Sequence, residues 1–162
     1  MKKNQLLNFI FVLFTFITDR ATKILIINFA EINGEVNIGL TSFLNLNLIW
    51  NDGIAFGLFS FDNSFGYNLI TIIISVIIII IMIMLINAEK LSRFALILIL
   101  GGALGNLFDR LYYSAVPDFI EFYFKSFHWF IFNVADIFIT LGVFCLIYVE
   151  LKNKDNLDEK NI

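Results

Sequence analysis

The sequence predicts an all-α membrane protein: four transmembrane helices carrying a small β-structured platform outside the bilayer. Three observations predict it. Of 162 residues, 59% are hydrophobic and only 15% charged, a balance foreign to a water-soluble domain and usual for a multi-span membrane protein. Four apolar runs approach the ~20 residues that a helix needs to cross a ~30 Å hydrocarbon core. Between the first two runs, apolar residues alternate instead of recurring every third or fourth position. The chain reads as one integral-membrane domain, 1–162, with spans near 6–27, 67–86, 94–111 and 129–149 and external segments at 28–66 and 112–128.

The first element follows a basic head, Met1-Lys2-Lys3. Leu6 to Ile17 is apolar apart from Asn8 and Thr15, which resembles the start of a secretory leader. No small-x-small cleavage site follows; Asp19, Arg20, Lys23 and then Ile24 to Ile27 do. One continuous helix from about Leu6 to Ile27 is expected, its outer third charged. Asp19 and Lys23, four apart, share a face and can neutralise each other. Asn28 to Gly66 holds Glu31, Glu35, Asp52 and Asp62 but no Lys or Arg. Within it, Phe43 to Leu48 alternates leucine with asparagine, the period of a half-buried strand, ending at Trp50 before the turn-type Asn51-Asp52-Gly53.

Leu69 to Ile86 is 18 residues without a charge and is expected to be a lipid-facing span without chemistry. Asn87 to Arg93 is a short loop. The third span starts at Phe94 and contains Gly101-Gly102-Ala103-Leu104-Gly105, small residues that admit a neighbouring backbone. Tyr112 to Lys125 is the second external stretch. Phe127 to Val149 is the fourth apolar run, and Glu150 to Ile162 a polar tail.

Lys and Arg number two in the head, two between Lys90 and Arg93, three in the tail, none over Asn28–Gly66 and one over Tyr112–His128. The positive-inside bias therefore predicts both termini in the cytoplasm, with Trp50 and Trp129 as anchors at the external interface. A net charge of −3 and the lack of a basic patch argue against nucleic acid. The lone Cys145 reads as a small apolar residue.

Asp136 is the one charged residue of the run Phe127–Val149. A carboxylate in hydrocarbon is costly, so it is expected to face a bundle interior or wet cavity and to mark a functional site. At ~1.5 Å per residue, Asp19, Asn106 and Asp136 all fall roughly 20 Å above the inner boundary, so three helices would bring polar groups to one layer. Asp19 has Lys23 one turn away, and Asp109 has Arg110 beside it. Asp136 and Asp118, which follows Pro117, have no local cation. Two uncompensated carboxylates that meet would share a proton, one acid and one base, and activate water for attack on a carbonyl.

Other chemistries fit less well. His128 is the only histidine, and a Ser/His hydrolase would need it beside a serine; it reads as an interfacial ring next to Trp129. Asp109, Asp118, Glu121 and Asp136 would suit Mg or Ca rather than zinc, and Glu121 reads as a solvated surface charge. No metal or other cofactor is expected. A proton- or cation-coupled transporter is the alternative. It would not need the long external platform and would carry paired broken spans. A non-catalytic membrane scaffold is the third reading.

Five stretches resemble the bacterial lipoprotein signal peptidases (signal peptidase II, aspartic peptidase family A8). They are Asp19-Arg20-Ala21-Thr22-Lys23, Asn51-x-Gly53-x-Ala55-Phe56, Gly101-Gly102-Ala103-Leu104-Gly105-Asn106-x-x-Asp109-Arg110, Val116-Pro117-Asp118-Phe119 and Phe132-Asn133-x-Ala135-Asp136. They run in order over nearly the whole chain. Arg20 departs from the family, which more often has Gln there, and adds a charge within the membrane. The resemblance implies a four-helix inner-membrane aspartic protease with an external β-cradle and a short periplasmic helix. It implies cleavage of prolipoproteins just before a diacylglyceryl-modified cysteine. It also implies Asp118 and Asp136 as the catalytic pair, lined by Asn51, Gly53, Asn106, Arg110 and Asn133. Asp19, Lys23, Gly102, Asp109 and Ala135 would support them. The expected partners are diacylated precursors and membrane lipids, and the expected state is a monomer.

Overall fold

The computed structural model describes residues 3–53, 64–124 and 127–158. Its elements run α1 (Lys3–Asn33), β1 (Asn37–Gly39), β2 (Leu44–Asn51), α2 (Ser64–Asn87), α3 (Lys90–Tyr113), β3 (Val116–Phe124), β4 (Phe127–Phe132) and α4 (Val134–Asp158). The molecule is mostly helical with one small antiparallel sheet of order β1-β2-β3-β4. Three helices, within α2, α3 and α4, are long and apolar enough to cross a membrane. The 31 residues of α1 would reach ~46 Å, but Asp19, Arg20 and Lys23 interrupt its apolar run.

The central helix is α3. In its most apolar stretch 56% of residues are buried, against 17% in α2 and 11% in α4. Glycines permit this. A Cβ on Gly102 would lie 2.6 Å from the Ala135 carbonyl oxygen, and one on Gly105 would lie 2.5 Å from an Asp19 carboxylate oxygen, so α4 and α1 approach α3 where it has no side chain. Gly142 returns the contact from α4, where a Cβ would meet Ile99 and the Ala95 carbonyl. The apolar core is a seam of Ile78 and Ile81 from α2 with Leu96, Ile99, Leu100 and Ala103 from α3. Large aliphatic and aromatic side chains of α1, α2 and α4 point outward, as lipid-facing surfaces do.

Leucine–asparagine alternation produces β2, the strand expected over Phe43–Leu48 and reaching Asn51. Its pairing with β3 shifts between Leu46 and Ile49: Leu46 lies opposite Ile120, but Ile49 lies opposite Asp118. One extra residue in β2 is a bulge, and beyond it the inward and outward positions exchange. Asn51, not Trp50, thereby shares the sheet face of Asp118.

The fourth apolar run does not form a single span. Phe127–Phe132 is strand β4, paired with β3, and the helix begins at Val134. Aromatic and β-branched side chains fit a pleated surface, and β3 offers an edge to pair with. Asp136 therefore sits in the first turn of its helix, not two turns into a span that begins near 129. The segment 112–128 is likewise the end of α3 plus strand, and α1 continues six residues beyond Ile27. Among the described residues no short helix lies between the long ones. Ala55 and Phe56, and the side chains of His128 and Trp129, lie outside the described residues.

Candidate active site

Asn133 organises the centre. It caps α4: its Oδ1 accepts the Asp136 backbone N–H at 3.2 Å, while the Asp136 carboxylate accepts the Asn133 backbone N–H at 3.1 Å. This reciprocal pair is a capping box, with the acidic residue three positions after the cap. The same Asn133 donates Nδ2–H to Asp118 Oδ1 at 2.6 Å. One residue thus binds both aspartates expected to pair. Their remaining oxygens are held too: Asn51 Nδ2 donates to Asp118 Oδ2 at 2.8 Å, and Asn106 Nδ2 to Asp136 Oδ1 at 2.9 Å. All four carboxylate oxygens therefore face N–H donors from three asparagines. The second lone pair of each oxygen stays free for solvent or substrate.

Both aspartates line one cavity of about 340 Å³. Its polar wall is Asn51, Asn106, Arg110, Asp118, Asn133 and Asp136; its apolar wall includes Ile74, Ile77 and Ile81 of α2. Asp118 is 3% exposed. Burial, and next the charge of Asp136, push its carboxyl up to about 6, against the opposing hydrogen bonds from Asn51 and Asn133. An acid that takes up a proton near neutrality is suited to proton transfer.

Behind Asp136 lies a fully enclosed charge cluster. Lys23 Nζ lies 2.9 Å from Asp19 Oδ2 and 2.7 Å from Asp109 Oδ2, and donates to Asn106 Oδ1 at 2.8 Å. The expected Asp19–Lys23 pair forms. Arg20 does not displace it, because its Nη1 turns to Asp109 and its guanidinium lies 5.0 Å from the Phe108 ring. Asp109 thus pairs with two cations of α1. Adjacent residues on a helix diverge, and Arg110 points elsewhere: Nη2 donates to the Gly53 carbonyl at 2.8 Å. Gly53 N–H in turn donates to Asn51 Oδ1 at 2.9 Å, which orients the amide that Asn51 presents to Asp118. Asp19 also crosses to α4, accepting the Ala135 N–H at 2.9 Å. A carboxylate there satisfies an open helix donor and favours the positive end of the helix dipole.

The structure joins Asp19, Lys23, Asn51, Gly53, Asn106, Asp109, Arg110, Asp118, Asn133, Ala135 and Asp136 through these contacts, with Gly102 packed against Ala135. Glu121 is a correction: it is 3% exposed, not solvated, because Asn45 Nδ2 donates to it at 3.1 Å across the sheet. Strand periodicity carries that signal, since Asn45 and Glu121 are cross-strand partners. Helix α2 is a correction in part, because three of its isoleucines line the cavity. Two further residues contribute. Tyr67 Oη donates to the Arg110 carbonyl at 2.8 Å, and Thr140, one turn below Asp136, lines the cavity. No sequence signal singles out Tyr67. The spacing of Thr140 from Asp136 does place it on that face.

The chain matches the signal peptidase (SPase) II family, peptidase A8, over residues 11–152. It is 56% identical over 160 residues to a lipoprotein signal peptidase of Pelagibacter ubique, covering 98% of this chain and 96% of that protein. It is 38% identical to one of Francisella tularensis subsp. novicida, covering 90% and 92%. A solved bacterial membrane enzyme structure, obtained by the in meso method at 2.3 Å resolution, superposes with a TM-score of 0.71 at 28% identity, covering 92% and 90% of the two chains. None of these similarities supports the transporter alternative.

Proposed function

The chain belongs to the signal peptidase II family, a family of aspartic proteases, and from that membership we propose that it removes the signal peptide from diacylglyceryl-modified prolipoproteins, cutting just before the lipidated cysteine. Asp118 and Asp136 are the catalytic pair of this reading. The observation that carries it is Asn133, which hydrogen-bonds both carboxylates in the wall of one cavity.

In the reaction a water between the carboxylates loses a proton to Asp136 as its oxygen attacks the scissile carbonyl carbon. Protonated Asp118 donates to the carbonyl oxygen, giving a neutral tetrahedral diol. Collapse breaks the C–N bond, with a proton passing to the leaving nitrogen. Asn51, Gly53, Asn106 and Arg110 line the cleft. The amides supply donors and acceptors for substrate backbone, and Arg110 holds the Gly53 turn in place. No metal enters this scheme.

Four spans, with α1 as the fourth, both termini in the cytoplasm, and an active site toward the periplasmic face of the inner membrane complete the reading. Support comes from the lysine and arginine distribution and the positive-inside bias. A short periplasmic helix belongs to the same reading, as do a monomeric state and membrane lipid as surroundings. Acyl chains anchor the precursor cysteine near the headgroups, level with Asp136 at the outer end of α4. The test is incubation with a diacylated precursor peptide, wild type beside Asp136→Asn and Asp118→Asn, read by gel shift. Cleavage by wild type alone is expected. Full activity in either variant removes that aspartate from the pair.

A further inference from the structure

We infer that Lys23 is a positioning residue for the dyad: by claiming the amide oxygen of Asn106 it turns the Asn106 N–H toward Asp136. The inference rests on the dyad assignment above and concerns how α1, which donates nothing to Asp136 directly, governs it.

Lys23 is fully buried, so its ammonium does not snorkel to an interface. An ammonium has three N–H donors and no acceptor. Here it forms an ion pair with Asp19 Oδ2 at 2.9 Å and donates to Asp109 Oδ2 at 2.7 Å and to Asn106 Oδ1 at 2.8 Å. Neutralising the two carboxylates would not require the third contact. That contact has a consequence across the Asn106 side chain, because an amide carries oxygen on one side and nitrogen on the other. With its oxygen committed to Lys23, its nitrogen faces Asp136 Oδ1 at 2.9 Å. The flipped amide would set N–H against ammonium and carbonyl oxygen against carboxylate, so both contacts would become repulsive.

Asp136 Oδ1 thus receives a donor whose direction is fixed. The charged groups around this relay are Asp19 and Arg20 of α1, Asp109 and Arg110 of α3, Asp118 of β3 and Asp136 itself. Arg20 supplies a second cation to Asp109, so Lys23 is not the sole counterion of the cluster. Its contact with Asn106 is the one function in which Arg20 does not share.

A double-mutant cycle tests this. Lys23→Met, Asn106→Ala and the double variant are purified in detergent. kcat and KM on a diacylated precursor peptide are measured with the thermal midpoint of each. Each single variant is expected to lower kcat by about 30-fold with KM within about 2-fold. The double is expected to fall within about 2-fold of Asn106→Ala alone, because groups acting as one unit are not additive. Losses that multiply toward about 1,000-fold, or full kcat in Lys23→Met, overturn the inference. Where Lys23→Met does not accumulate as folded protein, the cycle is run in an Asp109→Asn background, which removes one of the charges Lys23 neutralises; the same outcomes decide. Asp136→Asn runs alongside. If it keeps activity, the dyad assignment fails; if it is inactive while the cycle is additive, only the role of Lys23 fails.

Discussion

Asn133 donates to Asp118 through its side chain and to Asp136 through its backbone, so the two bonds respond differently to substitution. In Asn133→Ala the backbone bond persists, while the cap and the bond to Asp118 are lost. Loss of an N-cap costs about 1 kcal/mol, readable as a lower thermal midpoint. A drop in kcat of about 100-fold is expected beyond that. Asp118 permits a prediction with a sign. Its carboxyl is pushed up to about 6, so as the general acid it loses its proton as pH rises through that value, and kcat falls on the alkaline side. The Asn51 amide stabilises the ionised form. Asn51→Ala should therefore move the descending limb of the kcat profile to higher pH; a limb that stays put or moves lower contradicts the role of Asp118 as acid. Activity in chelator is expected to equal that in its absence, because the proposed scheme only moves protons among the two carboxylates, water and substrate.

Among the elements, β2 and α3 carry the tightest geometric demands. The bulge between Leu46 and Ile49 exchanges the faces of Trp50 and Asn51. Inserting one alanine between Trp50 and Asn51 would set the alanine opposite Val116 and turn Asn51 to the sheet face away from Asp118. Cleavage should be lost while the chain still inserts in membranes, as carbonate extraction would show. On α3, Gly102→Leu would drive a side chain into the Ala135 carbonyl, 2.6 Å from the Cβ position. Overpacking of this kind costs about 1–3 kcal/mol, and it separates Asn106 from Asp136. Activity should fall more steeply than the thermal midpoint implies, in an assay normalised to folded protein.

For the molecule as a whole, the polar site sits where three helices and a sheet converge, and lipid-facing side chains surround it. Helix α3 is the shared wall: its glycines admit α1 and α4, and its Asn106, Asp109 and Arg110 reach respectively to α4, α1 and the turn after β2. The topology proposed for the chain places both ends on one side. Single cysteines introduced near each terminus, in a Cys145→Ala background, should be labelled by a membrane-impermeant reagent only after the inner membrane is opened. Labelling of either end in intact spheroplasts would reverse the orientation.

The sequence alone determined the membrane class, the long helices and β2, and singled out two aspartates that line one cavity. Each of these rests on local or compositional physics: apolar run length, period two, and charges without a nearby partner. The start of α4 was also legible, because Asn133 and Asp136 stand at capping-box spacing; the unbroken apolar run through Phe127–Phe132 concealed it. Only the tertiary structure decided that this run joins a sheet, since an apolar segment of that length suits either period and the choice depends on whether β3 offers an edge. The bulge in β2, the burial of Glu121, the contact of Tyr67 with Arg110 and the placing of Lys23 against Asn106 were likewise decided in three dimensions. They join residues up to 83 positions apart, and no pattern along the chain specifies which donor will meet which acceptor.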